Sequence, residues 1–229
     1  MSTLFKRYIA LLLIFIVIGL LWNTLFIYPI KIFVVFMHEV SHGLAAIGTG
    51  GRIVEIQINP QQGGHALTQG GSRFWTLTAG YLGSLLWGGL ILLLAARTRF
   101  DKGISILIGL GMVAISIAFG ESTFTYLFGI GFGVALIALG FYLSEVINDW
   151  TLRIIGVTSC LYAILDIKSD VLDRSNLRSD ARMLSEVTGI PTEIWGGLWI
   201  LIAIGLTLWF LYLSGKTTDN TPKPAEEDI

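Results

Sequence analysis

Long apolar runs separated by short polar stretches dominate the chain. A membrane-spanning helix needs about 20 mostly apolar residues. Seven segments meet that description: 8–28, 30–48, 74–96, 103–120, 124–143, 151–167 and 194–214. The fourth is short and can form a tight hairpin with the fifth around Glu121. The pattern predicts an all-α polytopic membrane protein with six or seven transmembrane helices.

Residues 50–72 break this helical pattern and predict a small β-hairpin. Val54, Ile56 and Ile58 alternate with polar residues, and a period of two is typical of a half-buried strand. Turn residues follow at 60–64, and 65–69 can return as a second strand. The hairpin directly follows the second apolar segment.

The polar connection 168–192 predicts one more, shorter helix. Ser179 is a suitable N-cap for a helix that runs to Val187 and ends before Gly189, with Met183, Leu184 and Val187 on its apolar face. The last residues, 215–229, are polar and contain two prolines, which predicts a disordered tail. Residues 1–214 then form a single transmembrane domain.

Composition supports lipid as the solvent of this protein. Hydrophobic residues make up 54% of the 229 residues and charged residues only 14%, whereas a soluble domain carries about a quarter charged residues. A net charge of -1 gives no electrostatic reason to expect nucleic acid as a partner. The segments predicted on the two sides of the membrane carry nearly equal numbers of lysines and arginines, which leaves the orientation open. We expect an integral multi-pass protein of a bacterial-type plasma membrane; its oligomeric state stays open.

Two features refine this picture. Lys6 and Arg7 before the first apolar run are typical of signal peptides too, but no small-residue cleavage site follows, which favours an uncleaved transmembrane helix. Glycines inside the apolar segments predict closely packed helices; they include Gly80, Gly83, Gly88, Gly89, Gly109, Gly111, Gly129, Gly131 and Gly133.

The most informative motif is the sequence His38-Glu39-Val40-Ser41-His42. On a helix, histidines four residues apart lie on one face and can share a metal ion, while Glu39 can reach a water that the metal activates. Ionisable groups inside an apolar helix cost at least a few kcal/mol each when unpaired, and a metal resolves that cost. The structural alternative is a pair of histidines bonded to neighbouring helices.

A third ligand is needed, and aspartates are the candidates. Asp166 ends an apolar run and is the preferred ligand, while Asp170 lies four residues on and is either the ligand or a residue that orients the site. His65, in the hairpin, can contact a substrate or stabilise an oxyanion, or is a polar residue beside a turn.

These residues resemble the site-2 protease family of intramembrane zinc metalloproteases, in particular a compact peptidase-like subgroup. The matching motifs are the box within Met37–Ala46, Gly50-Gly-Arg, Gly71-Ser-Arg, Ala79-Gly-Tyr-Leu-Gly and Tyr162–Asp170. The resemblance implies Zn²⁺ bound by His38, His42 and an aspartate, with Glu39 as the base. Ile167 stands where the family usually has glycine after its ligand aspartate, and no PDZ-like module is present.

The sequence therefore predicts an intramembrane zinc metalloendopeptidase that hydrolyses transmembrane substrates. A non-proteolytic metal-binding membrane protein, either a transporter or an inactive protease relative, is the alternative; a purely structural protein leaves the box unexplained. Expected partners are the lipid bilayer and a membrane-embedded protein or peptide. We further hypothesise that the strand Ile53–Asn59 offers an unpaired edge to an extended substrate.

Overall fold

The protein is a helical bundle with one small β-hairpin. The computed structural model describes residues 3–173 and 179–216. In chain order the elements are α1 Thr3–Leu20, α2 Tyr28–Gly48, β1 Arg52–Ile58, β2 Gly64–Gln69, α3 Arg73–Arg97, α4 Asp101–Phe119, α5 Thr123–Tyr142, α6 Glu145–Lys168, the π-helical turn Ser169–Asp173, α7 Asp180–Thr188 and α8 Thr192–Gly215. The predicted fold class is confirmed.

Six of the described helices are long and apolar enough to cross a membrane: α2, α3, α4, α5, α6 with the start of its π-helical turn, and α8. The first predicted span, 8–28, differs from the structure. Helix α1 ends at Leu20, and its apolar part, Tyr8–Leu20, is shorter than a full span. The hydroxyl of Thr24 donates to the carbonyl of Leu21 in the turn that follows, and Pro29 then lies in the first turn of α2, where proline is favourable.

Glycines let two pairs of helices approach closely. A Cβ added to Gly88 of α3 would lie 2.5 Å from the Cβ of Ser159 on α6, and one on Gly156 would lie 2.8 Å from the carbonyl oxygen of Gly88. Gly109 of α4 and Gly133 of α5 meet in the same way. The packing role predicted for the glycines is confirmed at these contacts, but not everywhere: a Cβ on Gly111 or Gly131 would meet nothing within 4 Å.

The β-hairpin lies along α2 instead of projecting from the bundle. A Cβ on Gly43 of α2 would clash with Ile53 of β1, and the hydroxyl of Tyr28 at the start of α2 donates to the carbonyl of Pro60 at 2.7 Å. The two strands are antiparallel, with an irregularity between Ile53 and Glu55. The hairpin therefore lies beside α2, the helix that carries the His38–His42 motif.

The hypothesis that β1 offers an unpaired edge is wrong for its second half. The carbonyl of Ile56 accepts a hydrogen bond from the backbone of Glu121, and the amide of Ile58 donates to the hydroxyl of Thr125. The loop between α4 and α5 therefore covers this edge, a contact between distant segments that alternation along β1 does not reveal.

The short helix predicted in the polar connection is confirmed as α7. The hydroxyl of Ser179 accepts a hydrogen bond from the amide of Arg182, and Gly189 ends the helix with a φ of 72°. Its buried face differs from the prediction, because Leu184 is fully buried whereas Val187 is 42% exposed. Packing of this face turns the first residue of the helix, Asp180, toward α2.

The assignment of 1–214 to one domain stays a prediction. The predicted disordered tail falls largely on residues 217–229, which lie outside the described residues.

Candidate metal centre

The two box histidines lie side by side on α2, as their spacing predicts. Their ring centroids are 4.7 Å apart, and His42 and Glu39 are buried. The turns of α2 before the box are packed in the main apolar core, with Phe33 and Phe36 fully buried. This packing fixes the direction in which the histidines project.

Asp180, the first residue of α7, completes a group of three potential ligands. Its Oδ2 atom lies 3.0 Å from Nε2 of His38 and 3.2 Å from Nε2 of His42. His38, His42 and Asp180 are the group that the described residues offer to a metal ion. Neither Asp166 nor Asp170, the candidates that the sequence offered for the third ligand, belongs to this group.

The geometry of this group fits zinc. Ligand atoms about 2.0–2.1 Å from a tetrahedral ion lie roughly 3.3 Å from each other, close to the two distances above. Gly80 of α3 keeps the adjoining space free, because a Cβ there would lie 2.6 Å from Nε2 of His42 and would also clash with Nε2 of His38. Gly80, predicted as a packing residue, thus leaves open space beside the ligand atoms.

His42 is oriented for metal binding by its second ring nitrogen. Its Nδ1 lies 2.6 Å from the carbonyl oxygen of Thr76, which accepts a hydrogen only when Nδ1 carries one. In the neutral ring Nε2 is then left with a lone pair directed at Asp180 and Gly80. A hydrogen bond of this kind commonly fixes the tautomer of metal-binding histidines.

The environment of Asp180 favours its charged form. Burial disfavours the carboxylate, but attraction to His42 and hydrogen bonds from both histidines, when their Nε2 atoms carry a proton, outweigh burial and hold the pKa of Asp180 well below its usual range. Asp180 is therefore a carboxylate over the physiological pH range, as a metal ligand must be.

Glu39 lies next to the ligand group and against the hairpin. A Cβ on Gly64, the first residue of β2, would lie 2.7 Å from Oε1 of Glu39. Both residues line a cavity of about 690 Å³ between α2, α3, the hairpin and α7. The carboxylate thus faces a space where a water molecule and a peptide bond can enter.

The other predicted site residues line the same cavity without joining the ligand group. Asp170 accepts a short hydrogen bond from the hydroxyl of Tyr81, whose ring packs edge-on against His38 at 5.1 Å. Asp170 is thus placed to support the orientation of His38 through Tyr81. Asp166 is also on the cavity wall, one helical turn before Asp170.

His65 is more exposed than the ligand histidines. Its Nε2 lies 3.4 Å from Oε1 of Glu55 on the neighbouring strand, and its side chain is 56% exposed. His65 lines the cavity but does not contact the ligand group. A role in contacting the substrate stays a prediction.

The sequence profile of the family described as Peptidase M50B-like matches residues 11–210. The chain belongs to the Peptidase M50B-like family. This confirms the resemblance to site-2 proteases. No curated protein and no solved structure matches the chain significantly. Peptidases of the M50 group are zinc metalloproteases, and inactive relatives occur among the M50B-like proteins. Together with its six apolar helices, membership of this family of membrane peptidases indicates a multi-pass membrane protein.

The residue that sequence reasoning missed is Asp180. Its signal was present, since Ser179 and Asp180 predicted the start of a helix. An acidic residue in a first turn also stabilises a helix by itself, however, so the pattern gave no reason to assign a ligand.

Proposed function

We propose that this M50B-like protein is a zinc metalloendopeptidase that cleaves membrane-embedded substrates. The observation that carries the proposal is the convergence of three ligand atoms, from His38, His42 and Asp180, beside the carboxylate of Glu39. All four residues line one cavity between helices that are long enough to span a membrane.

The chemistry follows from these positions. A bound zinc ion supplies Lewis acidity toward a water molecule and the substrate carbonyl. Glu39 accepts a proton from the attacking water as its oxygen bonds to the carbonyl carbon, and gives that proton to the nitrogen as the C–N bond breaks. The products are a carboxylic acid and an amine, which become a carboxylate and an ammonium group when the acid proton passes to the amine, and Glu39 returns to its starting state.

A non-catalytic metal-binding protein is the second candidate, because the family includes inactive relatives. Tight metal binding needs the two histidines and Asp180 but does not need a buried glutamate facing a cavity. Glu39 is only 5% exposed, and no lysine or arginine of the described part of the chain forms an ion pair with it, a costly arrangement unless the group has a chemical task. The position of Glu39 therefore favours a peptidase.

Changing Glu39 to glutamine tests the proposal. The amide cannot take up the proton, whereas the three ligand atoms stay in place, so we expect unchanged zinc content and a cleavage rate lowered by about 10²–10⁴-fold. Zinc analysis of purified protein and cleavage of a model transmembrane peptide measure the two effects. Cleavage by the variant at the wild-type rate would show that Glu39 is not the base.

The hairpin offers a place for an extended substrate, but on β2 and not on β1. Ile56 and Ile58 direct their backbone groups away from β2, as their bonds to Glu121 and Thr125 show. In an antiparallel pair, two residues that face each other either both point their backbone N–H and C=O groups at the partner strand or both point them away from it. Ala66 and Gly64, the partners of Ile56 and Ile58, therefore direct their own backbone groups to the outer edge of β2. That edge lines the cavity, so we propose that β2 holds the unwound substrate.

Two proline substitutions on β2 test this assignment. At Ala66 proline removes an amide that faces the substrate, whereas at Leu67 it removes an amide that faces β1. We expect Ala66→Pro to reduce cleavage at least tenfold, with zinc content and melting temperature nearly unchanged, and Leu67→Pro to lower the melting temperature. Full activity of Ala66→Pro would exclude β2 as the substrate-binding edge.

The substrate and the membrane are proposed on the same basis. A membrane-embedded protein or peptide fits a cavity within the spanning helices, and location in a bacterial-type plasma membrane stays a prediction.

A further inference from the structure

One basic side chain on the wall of the cavity has no partner among the residues that the structure describes. Arg73, the first residue of α3, lines the cavity and is exposed. Within residues 3–173 and 179–216, its side chain makes no hydrogen bond or ion pair. Other arginines do have partners: Arg52 donates to Gln69, and Arg153 donates to Asp149.

Helix stability does not explain an arginine at this position. A cation in the first turn of a helix opposes the helix dipole and costs about 0.3–1 kcal/mol. Helix α3 has no acidic residue in that turn and no side-chain N-cap that would offset this cost. The position of Arg73 is therefore better explained by something that binds in the cavity.

The other charged residues in the described lining of the cavity, apart from its histidines, are acidic. Its lining includes Glu39, Asp166, Asp170 and Asp180. Among the described residues that line it, Arg73 alone is a lysine or arginine. Arg73 does not turn back to any of these carboxylates. Its guanidinium stays available for an anion from outside the chain, and a carboxylate matches its planar donor geometry.

The position of Arg73 relative to the metal centre defines where that anion would be. The carbonyl of Thr76, one helical turn after Arg73, contacts His42, and β2 runs from Gly64 beside Glu39 toward Gly70 and Gly71 just before α3. A substrate segment extended along β2 therefore passes from Glu39 toward Arg73. An extended segment that follows β2 from Gly64 to Gly70 contains about six residues, so Arg73 is expected to lie within about six residues of the scissile bond.

We propose that Arg73 is a specificity-determining residue that binds a carboxylate of the substrate on one side of the scissile bond. This inference rests on the proposed peptidase function and adds a substrate class, namely transmembrane segments with an acidic residue near the cleavage site. A chain end released by an earlier cleavage supplies the same chemistry through its terminal carboxylate.

Binding of matched peptides tests the inference separately from catalysis. The zinc-loaded Glu39→Gln protein is mixed with fluorescent transmembrane peptides that carry glutamate or glutamine at one position, scanned along the segment beside the central bond. Two further peptides, one with a free and one with an amidated C-terminal carboxyl group, test whether the bound carboxylate comes from a side chain or from a chain end. At one position we expect the acidic peptide to bind about tenfold more tightly than its amide partner, as a hydrogen-bonded ion pair gives.

Variants of Arg73 assign this preference to its side chain. In the same background, Arg73→Gln is expected to bind both peptides equally, and Arg73→Glu to prefer a lysine peptide, a gain that misfolding cannot produce. Arg99→Gln is the matched control, because Arg99 is an exposed arginine outside the cavity lining. In the active protein the effect is expected in KM and not in kcat.

Two results would overturn the inference: equal binding of acidic and amide peptides at every position, or a preference that persists in Arg73→Gln. Equal binding of acidic and amide peptides is also the result expected if Arg73 contacts lipid phosphates. If acidic peptides bind preferentially but wild-type protein cleaves none of them, the peptidase function fails and the carboxylate site stands.

Discussion

Replacing Asp180 by alanine is expected to remove both zinc and peptidase activity. The carboxylate is the one ligand of the proposed centre that comes from outside α2, and it joins the two histidine nitrogens at 3.0 and 3.2 Å. Without it, two neutral imidazoles remain, which is fewer than the three protein ligands of catalytic zinc sites. We expect zinc content to fall from about one ion per chain to near zero, with no detectable cleavage.

Asp166→Ala and Asp170→Ala are the matched controls for this change. Both carboxylates line the cavity, and Asp170 contacts Tyr81 beside His38, so their loss affects the ligands only indirectly. Residues that support ligands typically contribute 10–100-fold in affinity or activity. Zinc affinity is measured by competition with a chelator. Wild-type zinc affinity in Asp180→Ala, together with an empty site in Asp166→Ala, would restore the ligand predicted from the sequence.

Replacing Gly80 by alanine is expected to close the metal centre by adding one methyl group. The new Cβ would lie 2.6 Å from Nε2 of His42 and would overlap Nε2 of His38, where the ion has to bind. Alanine is otherwise the better residue inside a helix, by about 1 kcal/mol, so helix propensity does not oppose the change. We therefore expect loss of zinc and of cleavage, with a helical content equal to that of the wild type.

Two other glycines separate this effect from general packing. Gly83→Ala adds a clash between the same two helices, but against Ser41 and not against a histidine. It is expected to lower the melting temperature, since overpacking typically costs about 1–3 kcal/mol, while zinc stays bound. Gly111→Ala meets nothing within 4 Å and is expected to behave as the wild type. Normal zinc affinity in Gly80→Ala would contradict the proposed position of the ion.

The apolar pattern was sufficient to predict the membrane-type helices, because a spanning helix is set by its own length and composition. The ends of helices were less predictable. Residues 8–28 appear continuous in hydropathy, yet α1 ends at Leu20, since a turn with its own hydrogen bond at Thr24 precedes Pro29. Such a break depends on local bonding that average hydropathy does not measure.

The sequence by itself determined the half of the site that lies on one element. His38, Glu39 and His42 are within one turn or so of α2, and helical geometry alone places both histidines on one face. The hairpin and α7 were also predictable, because alternation and capping residues act over short distances along the chain.

Only the tertiary structure decided what meets the histidines. Asp180 is 138 residues from His42 in sequence (180 minus 42), and it arrives there because Ala181 and Leu184 bury one face of α7 in the core. The same holds for Gly80, whose missing side chain matters only because α3 packs against the box, and for β1, whose outer edge is covered by the loop after α4. Contacts of this kind depend on packing between distant segments, which leaves no local pattern in the residues that make them.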